Sequence, residues 1–167
     1  MNIQDLSGNV NHFKASLGDI EKKRAEWKTT TRSFIQETLI RIKSNFDLDW
    51  AVSIQDEAAN SEAVNLSLSH SSSSIIEKIE GGYKNYMNTG GTLSFSQAYN
   101  GDVFIIILFP LIEKTITPIQ PHKILMRIEP GLITEELIIK STASFLDEMT
   151  LWESSKSFNT IGFKIKK

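Results

Sequence analysis

The sequence predicts an α+β fold: a single domain over residues 1–167 in which a long N-terminal helix and a C-terminal helix pack on an antiparallel sheet of about five to six strands. Three observations predict it. Apolar residues recur at helical spacing before residue 47, short runs alternate apolar and polar residues through the middle of the chain, and helical spacing returns after residue 133. Consecutive strands flanked by helices are typical of the α+β class.

The N-terminal helix is predicted over Asn11–Phe46, a range with no proline and with Gly18 as its one glycine. Its apolar residues follow steps of three, four and seven, beginning at Val10. Threonine is a mediocre helix former, so the run Thr29–Thr31 allows either one long helix or two helices with a break there. The apolar positions drift after Phe34, which favours a helix lying on a sheet over a strict coiled coil.

Two strands follow, Trp50–Ile54 and Ala63–Ser69, and we expect them to form an antiparallel hairpin. In the second strand Val64, Leu66 and Leu68 alternate with polar residues, which predicts one buried face and one solvated face. The connection over residues 55–62 is polar and acidic, so it is predicted to be a loop.

A histidine, His70, stands directly before four serines, Ser71–Ser74. A catalytic serine would need a base in contact and a third group to orient it, and a phosphate-binding loop would need glycines and a lysine. Neither pattern is present. Because Ser74 and Glu77 have the spacing of a capping box, we predict that the run begins a helix from Ile75 to about Asn85, or on to Asn88.

The dipeptide Asn100-Gly101 is the strongest local signal, because it suits a two-residue type I′ hairpin turn. Such a loop would place Phe95 opposite Ile106 and Leu93 opposite Leu108. The predicted core face then carries Leu93, Phe95, Tyr99, Phe104, Ile106 and Leu108. The second face would carry Ser94, Ser96, Ala98, Val103, Ile105 and Ile107, which a partner or ligand could cover.

The C-terminal third is predicted to contain a strand, a helix and a strand. In the first strand, Lys123–Glu129, the residues expected to point inward are Ile124, Met126 and Ile128. Pro130-Gly131 ends this strand, and a helix from about Thr134 to Glu153 follows with two glutamates in its first turn, where the helix dipole favours them. The apolar stripe of the helix contains Ile138, Ile139, Phe145, Leu146, Met149 and Trp152. The last strand is predicted over Phe158–Lys167.

Composition excludes several classes of protein. The chain has no cysteine, so thiol catalysis, iron–sulfur clusters and disulfides are excluded. The three histidines, His12, His70 and His122, have no metal-binding spacing, and we expect no metal and no cofactor. A net charge of -2 argues against a general nucleic-acid binder. With no apparent signal peptide or membrane span, we expect a cytoplasmic protein of bacterial type.

Two segments carry opposite charge. Five carboxylates lie between Asp47 and Glu62 without a lysine or arginine among them, which suits a solvated loop, a surface for a basic partner or, less well, a Mg²⁺ or Ca²⁺ site. The segment Lys14–Lys43 has four more basic than acidic residues. That excess suits a solvated helix face and is a weaker indication of nucleic-acid binding.

No convergent catalytic set is apparent, so our first hypothesis is a non-catalytic protein-protein interaction module, a homodimer or a binder of another protein. It would use the second face of the hairpin sheet and the N-terminal helix, with neither nucleic acid nor membrane as partner. The alternative is a small-molecule-binding protein or enzyme with an aromatic-lined pocket between sheet and helices. The candidate ligand-binding residues are aromatic side chains with polar atoms and one histidine: Trp50, His70, Tyr83, Tyr86, Tyr99 and Trp152.

Overall fold

The chain begins with a continuous run of helix. The computed structural model describes residues 3–58, 61–112 and 120–154. A short 3-10 turn leads into helix α1, Ser7–Glu26, then a π-helical segment, Trp27–Thr31, and helix α2, Arg32–Asn45. The predicted break is therefore a local change of hydrogen bonding, in which the backbone N–H of Arg32 donates to the carbonyl of Trp27, five residues earlier.

The described strands form two antiparallel sheets. The larger has the order β1-β2-β5-β6-β8, where β1 is Trp50–Ala58, β2 Ser61–Leu68, β5 Thr92–Gln97, β6 Val103–Leu108 and β8 His122–Ile128. The smaller has the order β3-β4-β7, with β3 Ser71–Ile79, β4 Gly82–Thr89 and β7 Leu111–Ile112. After a 3-10 turn at Pro130–Leu132, helix α3 spans Glu135–Ser154.

This arrangement confirms the α+β class, the two terminal helices and the β1–β2 hairpin. The predicted last strand, Phe158–Lys167, lies outside the described residues. The core lies between the larger sheet and the helices α2 and α3. Its fully buried members come from the π-helical segment, the two helices and the central strands: Trp27, Ile35, Leu39, Val64, Leu66, Leu93, Phe95, Val103, Ile105, Ile107, Ile138 and Phe145.

The predicted register of the β5–β6 hairpin is wrong by one residue. Phe95 pairs with Ile105, and the loop has three residues instead of two. Gly101 has a left-handed backbone (φ +84°), and its N–H donates to the carbonyl of Ala98 at 3.0 Å. A turn closed by a left-handed glycine is the usual three-residue hairpin loop, so Asn-Gly fits both loop lengths.

The slip exchanges the two faces of β6, because successive side chains of a strand point in opposite directions. Val103, Ile105 and Ile107 are buried in the core, and Phe104, Ile106 and Leu108 lie on the second face. The prediction was right for Leu93 and Phe95 of β5 and wrong for β6. The second face therefore carries larger apolar side chains along β6 than the sequence suggested.

The predicted helix over Ile75–Asn85 is wrong, since this segment forms the hairpin of β3 and β4. Gly81, with φ +93°, lies in the turn where the chain reverses, a conformation that glycine adopts without strain. Glu77 stands opposite Lys84 in the ladder, so no helix begins here for a capping box to close. Pairing between distant residues overrides the local capping signal here.

The predicted loop over residues 55–62 is also largely strand. β1 continues to Ala58 and β2 begins at Ser61, with an irregularity of the ladder between Gln55 and Ala58. A polar segment can form a strand when both of its faces meet solvent or charged partners, and such a segment shows no apolar alternation.

The predicted inward residues of β8 are wrong for Ile124 and Met126, which are exposed. A bulge lies where Ile105 pairs with Met126 and the next residue, Ile106, pairs with Ile124. The bulge leaves Leu125 between these pairs, and Leu125 packs against the core together with Ile128.

Candidate functional site

An uncovered apolar stripe runs along the start of the N-terminal helix. We call it the α1 seam; its residues follow one another in steps of three and four: Ile3, Leu6, Val10, Phe13, Leu17 and Ile20. The first five are exposed by 84, 45, 48, 63 and 45% in that order. Every residue of α1 is described, and none of them is buried. This spacing is that of a helix that packs along another helix.

The seam becomes covered at its C-terminal end. Ile20 is half-buried, and Trp27, one heptad further, is fully buried. The loop of the β5–β6 hairpin lies against this end, so closely that a Cβ on Gly101 would lie 3.1 Å from the carbonyl oxygen of Ile20. Arg24 donates to the carbonyl of Tyr99 at 2.7 Å and stacks on its ring, 5.5 Å from the centroid. The domain therefore occupies the seam face of α1 beyond Ile20.

A buried carboxylate fixes this end of the helix to the sheet. The Asp102 side chain is 9% exposed and lies 2.7 Å from Lys23 Nζ and 2.6 Å from Arg127 Nε. The amide of Asn100 donates to it at 2.8 Å, and Lys23 also reaches Glu129 at 2.8 Å. The cluster joins α1, the β5–β6 loop and the end of β8, so it sets the direction in which α1 leaves the domain.

The charges of this cluster shift two pKa values. Burial alone would raise the pKa of Asp102, but the hydrogen bonds from Lys23, Arg127 and Asn100 outweigh it and hold the pKa below its usual 3.8. The same hydrogen bond with Asp102, and one with Glu129, raise the pKa of Lys23 above its usual 10.5. Both groups are therefore charged at neutral pH.

A second set of contacts ties the π-helical segment to the acidic β1–β2 hairpin. Trp27 Nε1 donates to Glu62 at 3.0 Å. Arg32 lies 2.9 Å from Asp56 and 3.5 Å from Glu62, and Lys28 lies 3.5 Å from Glu62. Part of the basic helix and part of the acidic segment thus neutralise each other within the chain, which accounts for two charge patterns that also suggested external partners.

An apolar cleft of about 950 Å³ lies between α2 and α3, beside the start of β1. Its walls are formed mainly by Ile42, Phe46, Leu48, Trp50, Ile139 and Leu146. Arg41 and Glu135 also line it and form an ion pair of 2.9 Å between the two helices. No acceptor among the described residues reaches Trp50 Nε1, which is itself closed to solvent. The cleft offers apolar contact area and few free polar groups.

The structure does not bring the six predicted ligand-binding residues to this cleft, since Trp50 is the one that lines it. His70 and Tyr83 are exposed, on the segment after β2 and on β4. Tyr86, also on β4, is buried and donates to Glu77. Tyr99 is exposed in the β5–β6 loop, and Trp152 is half-buried near the end of α3.

Sequence reasoning named the N-terminal helix as an interaction surface but did not identify the α1 seam, because it interpreted Val10, Phe13 and Leu17 as part of a helix lying on the sheet. The regular three-and-four spacing from Ile3 to Ile20 was the available signal, since the drift that argues against helix pairing begins only after Phe34. An apolar stripe has the same period whether it faces a core or a partner, and only the structure shows that none of the described residues covers this one from Ile3 to Leu17.

No family model, curated protein or solved structure matches the chain. Among the described residues, no helix is long and apolar enough to cross a membrane.

Proposed function

We propose that this protein is a non-catalytic interaction module that forms a homodimer through the α1 seam. The observation that carries the proposal is one apolar face with five exposed large side chains, two in the 3-10 turn Ile3–Leu6 and three in α1, and no buried residue in α1. Contiguous apolar surface of this kind marks interaction sites in proteins.

The helix itself argues for a partner. Gly8 and Gly18 each disfavour a helix by about 1 kcal/mol relative to alanine. Most helical stability in proteins comes from packing of an apolar face, and short unsupported helices are marginal in water. Packing against a second helix along the seam supplies that missing contact.

A second copy of the chain is the partner that fits best. It presents the same heptad spacing, and a two-fold axis lets one self-complementary patch serve both sides. The overlap involves one helix from each copy, so the interface lies near the small end of specific interfaces, which begin at about 1,200 Å². We therefore expect a reversible dimer with a Kd of about micromolar order.

Sedimentation equilibrium tests the proposal with wild type, Phe13→Ser and the control His12→Ser, which changes an exposed residue outside the seam. Full burial of a phenylalanine contributes up to about 3 kcal/mol. Because Phe13 is 63% exposed and occurs once in each copy, its loss removes about 2–4 kcal/mol per dimer. The Kd should then rise about 30-fold to 1000-fold.

His12→Ser should leave the Kd unchanged. Wild type that stays monomeric up to several hundred micromolar would refute the proposal, as would a Phe13→Ser variant that dimerises as tightly as wild type.

The α2–α3 cleft supports a second candidate function, binding of an apolar small molecule, since its volume lies in the range of ligand pockets. Anilinonaphthalene sulfonate is a suitable fluorescent probe. Saturable binding that Ile139→Lys abolishes and Phe13→Ser preserves would support this function. Binding that is lost with Phe13→Ser and kept with Ile139→Lys would exclude the cleft as its site.

A further inference from the structure

We infer that the two α1 helices pair antiparallel, with residues opposite each other when their numbers sum to 23. This inference rests on the proposed dimer and specifies its geometry. It places Leu6 of each copy against Leu17 of the other, Ile3 against Ile20, and Val10 against Phe13 across the two-fold axis. The structure carries it through two features: where the seam is covered, and where its apolar residues stop.

The first feature is the position of the domain on the helix. The seam is open from Ile3 to Leu17 and half-exposed at Ile20, but beyond Ile20 the chain's own β5–β6 loop lies on the same face. In a parallel pair both domains would sit at the same end and on the facing sides of the two helices, where each would collide with the other copy. In an antiparallel pair the domains lie at opposite ends, and the second helix begins where the first domain starts.

The second feature is the extent of the apolar stripe. The seam residues occupy two heptad positions: Ile3, Val10 and Leu17 share one, and Leu6, Phe13 and Ile20 share the other. In an antiparallel pair a residue at one position faces a residue at the other, so the registers that align the two seams have residue-number sums that differ by seven. A sum of 23 gives each of the six seam residues an apolar partner over residues 3–20, a length of about 27 Å. A sum of 30 would place Arg24 against Leu6, and Ile3 against Trp27, which is fully buried in the domain.

Because the chain has no cysteine, single-cysteine crosslinking can read this geometry directly. Leu6→Cys and Leu17→Cys are treated with a short bis-maleimide reagent, each alone and as a re-equilibrated mixture. The antiparallel register predicts crosslinked dimer in the mixture and little in either variant alone, since two Leu17 residues would lie about 16 Å apart along the axis. A parallel pair predicts the reverse, with efficient crosslinking of each variant to itself.

A second pair of variants guards against loss of the dimer through the seam substitutions. Asn9→Cys and Ser16→Cys flank the seam without altering it, and in the inferred register they lie on the same side of the interface. Selective crosslinking in their mixture supports the inference. Crosslinking of Leu6→Cys or Leu17→Cys alone, or no selective crosslinking in either mixture while sedimentation shows a dimer, overturns the register and leaves the proposed function intact. A monomer in sedimentation overturns both.

Discussion

The substitution Asp102→Asn tests how α1 is attached to the domain. It keeps the size of the side chain and removes its charge, so the 2.7 Å contact with Lys23 and the 2.6 Å contact with Arg127 lose their ionic partner. The amide also presents an N–H₂ group where the carboxylate had an acceptor, so at least one of the two cations loses its hydrogen bond.

The expected loss follows from those contacts. A hydrogen bond to a charged group contributes about 1.5–3 kcal/mol. Lys23 retains its ion pair with Glu129 at 2.8 Å, and the half-exposed Arg127 can form hydrogen bonds with water instead. Both effects reduce the loss of stability. We expect the free energy of unfolding to fall by about 2 kcal/mol. For a chain of this length that lowers Tm by about 4–8 °C.

Urea unfolding followed by tryptophan fluorescence measures the change, at one protein concentration for all variants. The control is Asp19→Asn, which removes an exposed carboxylate 3.5 Å from Lys22 and should leave stability unchanged within error. A difference between wild type and Asp102→Asn below about 0.5 kcal/mol would show that the cluster does not hold α1 in place.

The stability difference should also depend on pH. Because the pKa of Asp102 is lowered in the folded state, the carboxylate stabilises the fold fully above its usual pKa of 3.8. This contribution is lost as the pH falls through the lowered pKa of the folded state. The difference in the free energy of unfolding between wild type and Asp102→Asn should therefore be constant from pH 5 to 8 and become smaller in acid. A difference that stays constant down to the lowest pH would show that it does not come from the Asp102 charge.

Two further predictions concern positions where space or burial decides the outcome. Gly101→Ala should lower the free energy of unfolding by about 2 kcal/mol, because φ is +84° and the new Cβ would lie 2.7 Å from Lys23 Cβ. Gly18 has open space around it, so Gly18→Ala should stabilise α1 by up to about 1 kcal/mol. Thermal melts of the two variants measure both effects. Equal effects of the two alanines would contradict this reasoning. Trp27→Phe should lower the free energy of unfolding by about 2 kcal/mol, since it leaves a void in the core and removes the donor to Glu62. Urea titration followed by circular dichroism measures this, and a neutral result would mean that the π-helical segment repacks around the smaller ring.

Helix and strand periodicity predicted most elements of the core. The stripe of α3 has Ile138, Phe145 and Met149 buried as expected, and the alternation of β2 has Val64 and Leu66 buried. These patterns succeed because each element buries one face against a single neighbour, so its period appears directly in the sequence.

The errors arose where a local signal fits two structures. Asn100-Gly101 suits a two-residue or a three-residue loop, and the choice depends on which face of β6 packs on the helices. The Ser74–Glu77 spacing suits a helix start, but the turn at Gly81 lets the segment pair with β4 instead. Neither pairing partner could be identified from the segment alone.

The candidate site was predicted least well. The sequence hypothesis placed a homodimer interface on the second face of the hairpin sheet and the N-terminal helix, and the interface that we propose uses the helix alone. The six chosen aromatic and histidine residues lie on separate elements. The exposure of the α1 seam depends on where the β5–β6 loop stops along the helix, at Ile20, and no property of residues 3–20 encodes that position.

The π-helical segment also determines how the two parts of the long helix are rotated against each other. Heptad spacing from Ile20 and Trp27 would next bury Phe34, but Ile35 is the fully buried residue. One additional residue in a turn rotates everything beyond it by about 100°. Removing one residue from Lys28–Thr30 would turn the α1 seam by that angle relative to the sheet, and would turn the buried Trp27 and the Lys23 partner of Asp102 with it. The register of the π-helical segment therefore couples the direction of the apolar face to the core and to the Asp102 cluster.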